Sequence, residues 1–292
     1  MNPSRRNFIR ASLTGAAAAS VSLPSLGLLR AQEQPAAKGG GRIKQTVSMG
    51  PPKDMPFDKY AAECAKIGYK GFDLVGPDKF PILKQLGLVA SMVPSHGLPV
   101  GLNHKENHAE CLAKIRSSIE AASAAGFPNV ICFSGNRNGI SDEEGASNCV
   151  EALKQVAAFA EEKKVTLCME LLNSKVNHKD YMADHTIWGV TMCDLVGSPR
   201  VGLLYDIYHM QIQEGDVIRN IRDHGGRYFL HYHTAGNPGR NDLDDEQELN
   251  YRPIMRAVAE TGFTGYVGHE FSPKGEDKVG ALKAAYDICN LG

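Results

Sequence analysis

The sequence predicts an α/β chain closed into a single-domain (β/α)8 (TIM) barrel. Three observations carry this expectation. Eight short apolar runs of strand length recur along the chain. Amphipathic segments of helical period separate most of them. No second block of different composition interrupts the alternation, and strands alternating with helices imply a parallel sheet. The 292 residues are ordinary for one such barrel.

The eight runs are 45–49, 71–75, 88–94, 130–134, 165–171, 201–206, 228–234 and 266–270, each rich in Val, Ile, Leu, Phe or Tyr. Helical spacing predicts helices over 57–67, 107–125, 142–164, 186–196, 216–223, 253–260 and 277–289. In 107–125, for example, Leu112, Ile115, Ile119 and Ala122 fall on one face. Gly68, Gly126, Gly197 and Gly262 follow helical patterns, where a left-handed cap is expected. The alternative, an open doubly wound sheet, lacks its glycine fingerprint: Met49-Gly50-Pro51-Pro52 is no phosphate-binding turn.

Three segments are distinguished by composition. Residues 1–31 open with Ser4-Arg5-Arg6-Asn7-Phe8-Ile9-Arg10, followed by a stretch from Ala11 to Leu29 with no charged side chain. That order reads as a twin-arginine-type signal cut near Ala31, implying an exported, periplasmic protein that meets the twin-arginine export machinery. A retained anchor is the competing reading, opposed by the Ala, Ser and Gly content and by Pro24. Residues 32–42, rich in Gln, Pro, Ala, Lys and Gly, read as a flexible linker. Residues 43–292 are the barrel.

The formal net charge is −1, and −5 without the first 31 residues, which gives no electrostatic footing for nucleic acid. Seven cysteines occur, an odd number with no CxxC pair and mostly apolar neighbours, so buried free thiols are expected rather than a disulfide scaffold.

Functional side chains of such barrels project from the C-terminal ends of strands. Strand five runs into Glu170 through Cys168-Met169, and strand six into Asp206 through Leu204-Tyr205. Strand seven carries His231 and His233 on one face by alternation, and strand eight ends Gly268-His269-Glu270. A carboxylate in an apolar strand is costly to bury unless paired or bound to a cation. A lone acid or histidine at a strand end is usually a structural partner. Four on consecutive strands, at the same end, form a hard anionic ligand set for one divalent cation, with Mn²⁺, Mg²⁺ or Co²⁺ favoured.

The stretches Glu170-Leu171-Leu172-Asn173, Tyr205-Asp206-Ile207-Tyr208-His209-Met210-Gln211, His231-Tyr232-His233-Thr234-Ala235-Gly236-Asn237-Pro238-Gly239-Arg240 and Gly268-His269-Glu270 resemble the hydroxypyruvate isomerase family. That family belongs to the xylose-isomerase-like barrels, with ketose 3-epimerases and inosose dehydratases. The resemblance implies that Glu170, Asp206, His233 and Glu270 are metal ligands. It also implies that Glu170 and Glu270 are the catalytic carboxylates, and that His209 and Arg240 contact substrate oxygens. The chain departs from the pattern twice. Hydroxypyruvate isomerases carry Gln at the position of His233, where His resembles the epimerases. The epimerases carry an acid at the position of Val176.

The expected chemistry is isomerisation or epimerisation of a small carbohydrate by proton transfer beside a carbonyl. A dehydratase-like lyase, a phosphodiesterase of the endonuclease IV type and a non-catalytic sugar-binding barrel are the alternatives. Further pocket candidates are His96 after strand three and Asn173 and Lys175 after strand five. His104, Glu106 and His108 read as a polar helix start rather than a second metal site. A homo-oligomer is left open.

Overall fold

The computed structural model describes residues 43–291. The expected signal and linker lie outside the described residues. Eight parallel strands form one sheet: β1 (Lys44–Val47), β2 (Gly71–Asp73), β3 (Val89–Met92), β4 (Asn129–Cys132), β5 (Thr166–Leu171), β6 (Val201–Asp206), β7 (Phe229–Thr234) and β8 (Tyr266–His269). Hydrogen bonds link them in the order β3-β2-β1-β8-β7-β6-β5-β4. A parallel bridge between Val93 and Val130 joins β3 to β4. Val93 N donates to Asn129 O at 2.9 Å, and Ile131 N to Val93 O at 3.0 Å. The ring therefore closes through one short contact, and the barrel is confirmed over the open sheet.

The helices are α1 (Phe57–Ile67), α2 (Phe80–Gln85), α3 (His108–Ala125), α4 (Asp142–Lys163), α5 (Thr186–Val196), α6 (Ile207–Gln213), α7 (Val217–His224), α8 (Tyr251–Glu260) and α9 (Lys278–Cys289). Seven match the periodicity of the sequence. Short α2 and α6 do not appear in it, because six or seven residues complete too few turns to show a period. Local chemistry sets the ends. Ser141 caps α4 by accepting a hydrogen bond from Glu144 N at 3.1 Å, with three acids in the first turn. Gly126 and Gly197 end α3 and α5 at positive φ, where a β-carbon would be strained. None of the described helices is long and apolar enough to cross a membrane.

The main core lies between strands and helices and includes Val47, Phe72, Val130, Leu203 and Phe229 from the sheet. A separate buried cluster takes one residue from each of four neighbouring strands: Met92, Ile131, Cys168 and Leu204. These plug one side of the barrel interior. The other side is polar and carries Asp73, His231 and His233, all buried. All seven cysteines are buried and unpaired, as their apolar neighbours implied.

Candidate active site and metal centre

Strands β5 to β8 bring four side chains together at the C-terminal end of the barrel. Ligand atoms of Glu170, Asp206, His233 and Glu270 all lie within 4.8 Å of one another. His233 Nδ1 is 2.8 Å from Glu270 Oε2, 3.5 Å from Glu170 Oε1 and 4.0 Å from Asp206 Oδ2. Parallel pairing produces this: past a register shift between Leu203 and Leu204, Asp206 stands opposite His233, and β8 runs beside β7.

The donor set fits a hard divalent cation. Three carboxylates and one imidazole nitrogen share one small volume, and the contacts that buried His233 Nδ1 and Glu270 Oε2 make with each other and with Arg240 lack hydrogen-bond geometry. Acid oxygens and an imidazole nitrogen that converge on one point without good hydrogen bonds form an arrangement that a bound cation would satisfy. Asp206 divides its two oxygens. Oδ1 caps α6 by accepting from His209 N at 3.0 Å, which leaves Oδ2 toward the cluster.

Electrostatics follow the same geometry. Burial, with Glu270 and Asp206 adding repulsion against the relief from His233, pushes Glu170 up to about 7. Burial would also raise Glu270, but the neighbouring His233 and Arg240 outweigh it and hold this carboxyl below its usual range. Burial opposes charge on His233, yet Glu270, Asp73 and Glu170 push it well above the ordinary histidine value. The two glutamates are thus driven apart, the condition under which one carboxyl can hold a proton while the other takes one.

Beneath the cluster sits Asp73 on β2, a residue that the strand-end reading missed. Its Oδ2 accepts from His231 Nε2 at 2.6 Å and His233 Nε2 at 3.0 Å. Its Oδ1 accepts from Thr46 Oγ1 at 3.0 Å and from Ser91 Oγ. Burial resists its ionisation, but His231 and His233 overcome this and hold it well below the carboxylate range. Gly268 makes the room: a β-carbon there would overlap Asp73 Oδ2. The signal was available in the sequence, since Asp73 interrupts the apolar run Phe72-Asp73-Leu74-Val75 just as Glu170 interrupts β5.

His209, which the resemblance implies as a substrate contact, lies in the first turn of α6. Asn173 Oδ1 accepts from Val176 N at 3.0 Å and Asn177 N at 2.9 Å, so its amide nitrogen is the group that meets His209 Nδ1 at 2.6 Å. Nδ1 must then accept, and the ring proton sits on Nε2. That nitrogen is buried, has no hydrogen-bond partner and lies 3.9 Å from Asp206 Oδ2, too far for a hydrogen bond. Burial and the nearby Arg240 keep the ring well below its ordinary pKa, hence neutral.

Arg240 reaches the cluster from the loop after β7. Its Nη2 is 2.9 Å from Glu270 Oε2 and 3.8 Å from Asp206 Oδ2, and its guanidinium stacks over Tyr208 with 5.6 Å to the ring centroid. Backbone bonds hold that loop: Gly236 N to Asn241 O at 2.8 Å and Ser272 N to Arg240 O at 2.8 Å.

Two expected pocket residues are spent elsewhere. His96 Nδ1 lies 3.1 Å from Gly97 O and 3.2 Å from Val100 O, and its Nε2 accepts from Phe133 N at 3.4 Å. Both nitrogens thus hold the β3–α3 connection. Exposed Lys175 donates to Gln213 O at 2.7 Å. Asn173 serves the site by orienting His209. His104 and His108 meet the carbonyls of Arg137 and Leu102, as a structural helix start requires. His178 was not foreseen. Its ring centroid is 5.1 Å from that of His209, brought there by the β5–α5 loop, and its spacing offers no sequence signal.

Residues 61–287 match the family model described as xylose isomerase-like TIM barrel. The chain is 27% identical over 245 residues to the 2-oxo-tetronate isomerase of Haemophilus influenzae, an alignment covering 78% of this chain and 92% of that protein. It is 26% identical over 240 residues to the hydroxypyruvate isomerase of Escherichia coli, covering 77% and 89%. Among solved structures, it resembles an AP endonuclease, family 2, from Brucella melitensis, with TM-score 0.72, 22% identity and coverage of 85% and 99%. It also resembles 3-keto-D-glucoside 4-epimerase from Escherichia coli, with TM-score 0.71, 16% identity and coverage of 84% and 98%. These structural likenesses establish the fold alone. With a family model matched across most of its length, and with the eight-stranded barrel in hand, this chain belongs to the xylose isomerase-like TIM barrel family.

Proposed function

We propose that the protein is a divalent-metal-dependent isomerase or epimerase of a small sugar or hydroxy-keto compound, working by proton transfer beside a carbonyl. The observation that carries this reading is the convergence of Glu170 and Glu270 with Asp206 and His233 around one point. Glu170, Asp206, His233 and Glu270 would hold the cation. When bound, it supplies Lewis-acid polarisation of a carbonyl and stabilises negative charge developing on oxygen.

The chain's own groups account for the rest. Glu170 and Glu270 carry the proton, one removing it from carbon and the other returning it. His209, neutral with its proton on Nε2, donates to a substrate oxygen and takes no part in the proton balance. Arg240 steadies Glu270 and offers its remaining donors to substrate hydroxyl or carboxylate oxygens. The relatives' names, 2-oxo-tetronate isomerase and hydroxypyruvate isomerase, support this class of reaction. Export through the twin-arginine route belongs to the same proposal and rests on Arg5-Arg6 and the uncharged stretch after them.

The test is solvent deuterium entering a panel of ketoses, inososes and hydroxypyruvate with metal-loaded protein. Glu170→Gln and Glu270→Gln should each slow exchange by about 100-fold or more. A folded, metal-loaded wild type that exchanges no compound would overturn the isomerase reading.

A further inference from the structure

Between the ends of β4 and β5 a tyrosine hydroxyl stands where a ladder bond is due. Thr166 N donates to Pro128 O at 2.8 Å, and the pairing runs on to Cys132 beside Met169. By the repeat of a parallel ladder, Ser134 N is the next donor due at Glu170 O. Instead, Ser134 N donates to Tyr181 Oη at 3.2 Å, and Tyr181 Oη donates to Glu170 O at 2.9 Å. A direct rung spans about 2.9 Å. Two bonds through a hydroxyl hold the same groups farther apart.

Tyr181 is fully buried, and its hydroxyl has both its proton and a lone pair engaged. The residue lies on the loop between β5 and α5, and that loop is stitched to the one after β4. Asn136 and Tyr181 form an antiparallel bridge. Arg137 N donates to Asp180 O at 2.8 Å, Met182 N to Gly135 O at 3.0 Å, and Ala183 N to Ser134 Oγ at 2.9 Å. The Arg137 guanidinium adds a bond to Tyr181 O and one to Asp184 Oδ1 at 3.1 Å. A side chain held on so many sides acts as a spacer of fixed length. Glu170, at the other end of that spacer, is the β5 member of the four-residue cluster.

We propose that Tyr181 is a positioning residue for Glu170: its hydroxyl, inserted between β4 and β5, sets the separation of the two strand ends and so where the Glu170 carboxylate meets Asp206, His233 and Glu270. Tyr181 touches neither cation nor substrate in this role. The consequence for turnover rests on the isomerase reading; the consequence for the cluster does not. Without the hydroxyl, Ser134 N–H and Glu170 O lose their shared partner in a buried place. The simplest relief is closure of the strands into a direct rung, and that closure carries Glu170 with it.

The test compares Tyr181→Phe with Tyr69→Phe in the full-length protein. Tyr69 also donates a buried hydroxyl to a main-chain oxygen, that of Leu282 at 2.9 Å on α9. Both variants should melt below the wild type. Tyr181→Phe alone should lose Mn²⁺ affinity, about tenfold by calorimetry, and should lower kcat about tenfold or more with KM little changed. Arg137→Met, which keeps the hydroxyl and loosens the loop, should show smaller losses of the same kind, and it decides by the same measure if Tyr181→Phe does not fold. Wild-type Mn²⁺ affinity in Tyr181→Phe, or an equal loss in Tyr69→Phe, overturns the positioning role. A wild type that binds Mn²⁺ but exchanges no compound sinks the isomerase reading, while the affinities still decide Tyr181. A wild type that binds no divalent ion sinks the metal reading, and crystal structures then decide. The Glu170 carboxylate of Tyr181→Phe should lie about 0.5 Å or more from its wild-type place, and coincidence of the two overturns the proposal.

Discussion

Asp73 Oδ2 accepts the Nε2–H of His233 at 3.0 Å, and this single bond turns His233 Nδ1 toward Glu170, Asp206 and Glu270. A metal-binding histidine needs its second nitrogen held in this way, because the hydrogen bond sets both tautomer and ring angle. Replacing Asp73 by Asn keeps the shape and lets the amide nitrogen face the hydroxyls of Thr46 and Ser91. It weakens the hold on both histidines. Affinity for Mn²⁺, measured by calorimetry, should fall about 10–100-fold. Wild-type affinity in this variant would remove Asp73 from the metal site.

Gly268→Ala should damage the same relationship from the other side. The added β-carbon overlaps Asp73 Oδ2 and comes within 3.0 Å of His233 Cδ2. In a packed interior such crowding costs about 1–3 kcal/mol. Thermal unfolding should show the loss, and metal affinity should fall with it, whereas crowding without effect on metal binding would mean that the barrel gives way elsewhere.

Removing the cation should abolish exchange and lower stability together. A ligand that binds only the folded state stabilises it by about 2.7 kcal/mol at 100-fold over its Kd. That corresponds to about 5–10 °C in Tm for a chain of this size. Chelator-treated protein should melt lower by that amount, and Mn²⁺, Mg²⁺ or Co²⁺ should restore both properties. A Tm indifferent to every divalent ion would contradict the four-ligand site.

His209 and Asn173 should behave as one unit. His209→Ala removes the free Nε2–H and should lower kcat/KM about tenfold. Asn173→Ala releases the tautomer and should cost less. In the double variant the losses should not add in full, because Asn173 orients His209, its remaining bonds being to the loop at Val176 and Asn177. Full additivity would show that Asn173 touches substrate independently.

The thiols should be silent in the native protein. All seven are buried, and burial pushes Cys64 and Cys193 up to about 12. A thiol reagent at pH 8 should therefore label none until denaturant is added, and then seven. Rapid labelling of one native cysteine would identify a strand or helix end that opens readily.

Much of the fold was legible along the chain because its signals are local. Each strand is a short apolar run, each long helix a repeat of 3.6, and the positive-φ glycines after α3 and α5 mark ends that no other residue reaches without strain. The convergence of Glu170, Asp206, His233 and Glu270 was legible for a related reason. In a parallel barrel, an acid or histidine that ends an apolar run is carried to one face, so position along the strand stands in for position in space. Helices α2 and α6 were not, since a period needs more than two turns to appear.

By itself, then, the sequence determined the barrel, its eight strands and the four side chains Glu170, Asp206, His233 and Glu270. Only the tertiary structure decided what lies around them. Asp73 meets His233 across 160 positions of sequence, and His96 turns its nitrogens onto backbone. Strand ends are ordered by the backbone's own repeat. These partnerships depend on how the ring closes, and closure is a long-range event that no local spacing encodes.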